Sequence, residues 1–187
     1  MAADDRRVRA ELVAKGALFD GYHPRMRNVN ERNAARLLQI LDAHGWPGRS
    51  LVGEDAADAA WLILQHAIGN PALQRRGLFL LRKAAESGEA SATQVAMLED
   101  RIRSCEGKSQ LYGTQFDWNE QGELIPLPIE DMQRVDERRR AIGLMPLVEA
   151  IHEKRAQAVR DGERPPQDWS ARQREKETWL RETGWKK

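Results

Sequence analysis

His66 closes the apolar run "AAWLILQHA", directly after Gln65. An imidazole titrates near neutrality, so at the end of a buried helix it can take a proton from a reacting group and return it. Asp100 and Arg101, in "LEDRI", lie beside the apolar face of a later helix. Charges at that boundary must be paired or reach a polar cavity, because burying an isolated charge is costly. The stretch "SQLYGTQ" sets Gln110, Tyr112 and Thr114 on one side of an extended segment, with Gly113 permitting close approach of the backbone. Asn33 falls where the Leu37 side of an earlier helix calls for an apolar residue, which marks a polar position inside the core.

Gathered into one cleft, these residues make a metal-independent acid–base site. His66 is the expected general base and Asp100 the carboxylate that fixes its tautomer. Arg101 is suited to an anionic group of the substrate. Tyr112, Gln110 and the Thr114 backbone are donors for a developing oxyanion, and Gln65 and Asn33 complete the substrate wall. Hydrolysis, isomerisation and cyclisation of a small molecule or peptide all fit these parts. The alternative is a non-catalytic helical module whose cleft takes a peptide or a protein loop. Each residue also has a structural reading. A histidine in a last helical turn complements the helix dipole, Asp100 and Arg101 can form a salt bridge, and the loop amides can satisfy backbone.

Other chemistries are disfavoured. Cys105 is the single cysteine, which excludes an internal disulfide and a cysteine zinc cage. No His-x-x-x-His pair occurs, and "GWPGRSLVG" lacks the Gly-Lys-Ser/Thr end of a phosphate loop. Neither metal nor cofactor is expected. The net charge of +1 over 187 residues gives no broad field toward nucleic acid or an anionic membrane. The longest apolar runs are too short for a bilayer span, and "MAADDRRVRAEL" has no signal-peptide core, so a cytoplasmic location is expected.

The elements that must position these groups read as short helices. Apolar spacing predicts helices over Asp4–Leu18, Asn30–His44, Asp55–Ala67, Pro71–Ser87, Ser91–Cys105, Glu130–Ala141 and Pro146–Arg160. "GYHPRMRNVN" reads as a connector with Asn30 as a cap. The third of these helices is apolar nearly all round and should be central. The fold class is all-α: a compact bundle of about six helices with a small hairpin-like insertion at Gln110–Ile129. The helical domain should span 1–161, with 162–187 forming a charged C-terminal helical arm bearing Trp169, Trp179 and Trp185. Such an arm can fold back over its own bundle or dock on a second subunit, and tryptophans on so polar a helix favour the second, hence a homodimer through the arm.

"GWPGRSLVGEDAADAAWLILQHA", "LEDRIRSCEGKSQLYGTQF" and "PIEDMQRVDERRRAIGLMPL" together resemble a bacterial domain family of unknown function, over roughly Arg25–Ile151. The motifs that carry the resemblance are Gly45, Trp46 and Pro47; Gln65 and His66; Asp100 and Arg101; and Gln110, Tyr112, Gly113 and Thr114. The resemblance implies no reaction, but it stresses the same polar positions.

Overall fold

A proline in the first turn of a helix forfeits no hydrogen bond, since that N–H has no partner within the helix. The computed structural model, which describes residues 1–14 and 23–187, uses this twice. Pro24 opens α2 (Pro24–His44) and Pro71 opens α5 (Pro71–Glu86). His23 caps α2 by accepting the Arg25 N–H at 3.2 Å, and Asn70 caps α5 by accepting the Leu73 N–H at 3.0 Å. The connector expected before Asn30 is therefore helix. Pro24 excludes only His23 from helical geometry, and Met26, Val29, Asn33 and Leu37 continue one buried face. Asn30 is buried within α2 rather than capping it.

The remaining helices are α1 (Ala2–Ala14), α3 (Arg49–Val52), α4 (Glu54–His66), α6 (Ala92–Cys105), α7 (Val135–Ala141), α8 (Leu147–Arg160) and α9 (Trp169–Glu182). The fold is mainly α, as expected. The α-helices among the described residues number nine rather than about six. One of the additions is α3, a single turn within what the sequence reads as a loop. The last residues of the expected first helix, 15–18, lie outside the described residues.

The chain divides into two compact units, Met1–Val95 and Ala96–Lys187. In the first, α4 packs against α1, α2, α3 and α5, the central place its apolar run predicts. Val8 and Leu12 from α1 cluster with Met26 and Val29 from α2. Leu37, Leu64, Leu73 and Leu81 are fully buried.

The second unit holds the hairpin. Strand β1 (Phe116–Trp118) pairs antiparallel with β2 (Leu124–Pro126) in the register Phe116 to Pro126 and Trp118 to Leu124. Pro126 is tolerated because a two-stranded sheet consists only of edges. An isolated bridge from Gln110 to Ile129 closes the base of the insertion.

The arm is docked on its own chain. The Trp169 indole N–H donates to the Trp118 carbonyl at 2.8 Å. Arg172 and Lys176, one helical turn apart, both reach the Asp117 carboxylate, Lys176 at 2.8 Å. Leu180 and Trp185 are buried. Burial opposes ionisation of Asp117, but Lys176 and Arg172 together hold its carboxyl below the usual aspartate range. Trp169 and Trp185 are thus both engaged within the chain. No helix among the described residues is long and apolar enough to cross a membrane.

Candidate functional site

In the first unit, α1 delivers a carboxylate to His66. Asp5 follows the stripe of Val8 and Leu12, all three being buried. Its oxygens lie 3.0 and 2.9 Å from Nδ1 of His66. The Asp5 side chain is 1% exposed, whereas the imidazole keeps 15%, so the accessible part of the pair is the ring. An ionised carboxylate can only accept, so this geometry places the ring proton on Nδ1 and leaves the basic lone pair on Nε2.

The last turn of α4 that carries His66 is itself held. From α5, the Gln74 amide donates to the carbonyls of Leu64 at 2.8 Å and Gln65 at 3.4 Å. Three residues on, Gly77 lets α5 approach Leu64 so closely that a Cβ there would lie 2.5 Å from a Leu64 methyl. Asn33 is buried in α2 and donates to the Met1 carbonyl at 3.3 Å, which ties α2 to the start of α1.

In the second unit, Asp100 organises the Gln110–Thr114 segment. Its fully buried carboxylate accepts the N–H groups of Leu111 at 2.6 Å, Tyr112 at 3.1 Å and Thr114 at 3.0 Å, and the Thr114 hydroxyl at 3.0 Å. Burial raises the Asp100 pKa, and the bonds from Leu111, Thr114 and Tyr112 oppose that shift without cancelling it. Gln110 is also fully buried. Its amide donates to the carbonyls of Gln115 at 3.0 Å and Leu127 at 2.8 Å and accepts the Gln115 N–H at 2.9 Å. Arg139, buried in α7, donates to the carbonyls of Met145 and Tyr112. Arg101 donates from Nε to Gln115 at 3.1 Å. Gly113 has φ +69°, and a Cβ there would meet side chains of Ile129 and Leu147 at 2.8 Å.

Asp100, Gln110, Thr114 and the Tyr112 backbone thus meet in one network, with Arg101 joined through Gln115. The polar groups of Asp100 and Gln110 are taken up by loop backbone. The carboxylate on Nδ1 of His66 is Asp5, not Asp100, because Asp100 is engaged by four donors of its own unit. Spacing alone contains a signal for Asp5, which precedes Val8 by three residues and Leu12 by seven. Arg139 and Gln74 carry no comparable signal, because their partners are backbone carbonyls, which no residue type marks.

The Gly-Trp-Pro motif ends at Pro47. After it, Gly48 packs so tightly that a Cβ would sit 2.6 Å from Oε2 of Glu89. The same oxygen accepts the Ser50 N–H at 2.8 Å, which holds the Glu89 carboxyl below its usual range. Trp46, Ser50, Lys83 and Glu89 line a cleft of about 290 Å³ there. Among the described residues, no group of three or more His, Cys, Asp or Glu side chains is placed to hold a metal ion. Cys105 is half-buried, and burial raises its thiol pKa.

No curated protein and no solved structure matches the chain. A family model does, and it covers both the His66–Asp5 pair and the Asp100 network. Its match runs from residue 5 to residue 158, and the chain belongs to this family of unknown function, DUF6624.

Proposed function

We propose that the chain is an acid–base enzyme in which His66 exchanges a proton with a small molecule or peptide through Nε2, while Asp5 holds Nδ1. The observation that carries this reading is the pairing itself: a buried carboxylate with both oxygens on one nitrogen of a partly exposed imidazole. Such a carboxylate fixes the tautomer, orients the ring and stabilises the imidazolium formed when Nε2 takes a proton. The reaction class is hydrolytic, isomerising or cyclising, each of which needs a proton taken and then returned.

Incubating the purified protein with a small-molecule and peptide extract, followed by mass spectrometry, tests the reading whatever the substrate is. Compounds consumed by the unsubstituted protein should be consumed about 10²-fold or more slowly by His66→Gln, with folding unchanged by circular dichroism. Asp5→Asn should slow turnover while leaving substrate affinity largely intact. Turnover by His66→Gln at the original rate would remove His66 from the chemistry. Retained compounds that are bound but never converted would favour the non-catalytic binding module instead.

A further inference from the structure

The second unit contains a cleft of about 400 Å³ that the His66 reading does not use. One wall is a single face of α9: Gln173, Lys176, Glu177 and Leu180 follow one another at helical spacing. The opposite wall is the last turn of α6, with Ser104, the turn that follows it, with Lys108 and Ser109, and the end of the hairpin, with Leu127 and Pro128. Lys186 closes one side, placed there by the buried Trp185 before it. Gly107 makes room for it, since a Cβ at Gly107 would already lie 3.3 Å from Cε of Lys186.

The lining is cationic beyond what its own acids neutralise. Lys176 is paired with Asp117 and Lys186 with Glu177, but Asp117 is also bonded by Arg172, and Glu177 by Arg181. Lys108 adds a third ammonium, paired with Glu106 and still 62% exposed. Oγ of Ser104 is shielded from solvent and has no hydrogen-bond partner among the described residues, so it can serve a bound oxygen. Leu127, Pro128 and Leu180 supply an apolar surface beside the charges. The volume is that of a small-molecule site.

We propose that this cleft binds a phosphate monoester of a small organic alcohol. Its phosphate is met by Lys108, Lys176 and Lys186 with the Ser104 hydroxyl, and its organic body lies against Leu127, Pro128 and Leu180. Lysine ammoniums bind a phosphate as compact point charges, each with three rotatable donors for its oxygens. Residues 173, 176, 177, 180 and 186 lie beyond the part of the chain matched by the family model. The site is therefore a property of the arm-bearing chain rather than of the family domain.

The test is a titration of the full chain with glycerol 3-phosphate, ribose 5-phosphate, glucose 6-phosphate, inorganic phosphate and sulfate at constant ionic strength, followed by amide NMR. At least one monoester should give saturable shifts confined to residues 104–109, 127–128 and 173–186, with affinity at least tenfold above that of sulfate. Lys108→Gln combined with Lys186→Gln should weaken it at least tenfold at unchanged melting temperature. Should that variant unfold, the unsubstituted protein still decides through the location of its shifts. Equal affinity for sulfate and every monoester, saturable shifts elsewhere, or no saturable binding of any probe would each overturn the proposal.

Discussion

Nδ1 of His66 lies 2.9 Å from Oδ2 of Asp5, although the two residues are sixty-one positions apart in the chain. The bond links α1 to the end of α4 and leaves one nitrogen of the ring for other use. Selective ¹⁵N-histidine spectra should therefore show His66 protonated at Nδ1 and bare at Nε2 in its neutral form. In Asp5→Ala that preference should vanish, and stability should fall by about 1 kcal/mol because a partly buried donor loses its acceptor.

Asp100→Asn should be among the most damaging substitutions in the chain. The amide nitrogen of asparagine would face N–H groups that now find an oxygen. A loss of about 3 kcal/mol or more in urea unfolding is expected, with Thr114→Val costing about 1 kcal/mol through its single hydroxyl bond. Equal stability of Asp100→Asn and the unsubstituted protein would remove Asp100 as the organiser of the loop.

Two effects compete at Gly77. Alanine favours a helix over glycine by about 1 kcal/mol. The added methyl would overlap both methyls of Leu64, which is fully buried, and overpacking costs about 1–3 kcal/mol. Packing should win, so Gly77→Ala should lower the urea midpoint.

The clamp on α9 should be acid-labile. Asp117 has its folded pKa lowered, so its contribution is complete above the usual aspartate pKa and is lost as pH falls through that value to the depressed folded one. Asp100 runs the other way. Its folded pKa is raised, so its contribution is complete below the usual value and fades as pH rises through the raised one. The Trp169 indole N–H resonance should accordingly shift toward its exposed position on acidification, and in Asp117→Asn it should lie nearer that position already at neutral pH. An indole that stays fixed to the lowest pH at which the unit remains folded would argue against the clamp.

Much of the helix pattern is legible wherever apolar spacing and a cap agree, as at Asn70 and Pro71 or at Gly45 after α2. The start of α2 is missed because Pro24 reads as a breaker, although the first turn of a helix accepts it. At Gln110 to Thr114 the residue types stand out in the sequence, and the odd composition does mark a special segment. What spacing cannot show is that Asp100 and Gln110 face loop backbone, since that depends on how the chain folds back over a stretch without periodicity. Asp5 is hidden for a different reason. Next to Asp4 in a highly charged segment it looks solvated, and only its alignment with Val8 and Leu12 betrays burial.

The docking of α9 on Asp117 carries an implication for sequence statistics across the family. Asp117 falls within the matched stretch, whereas Arg172 and Lys176, which neutralise it, fall after residue 158. Arg172 and Lys176 offset the cost of burying the Asp117 charge. Among relatives, an acid at this position should co-vary with a pair of basic residues four apart in a following helix. Members with no such helix should carry an uncharged residue there.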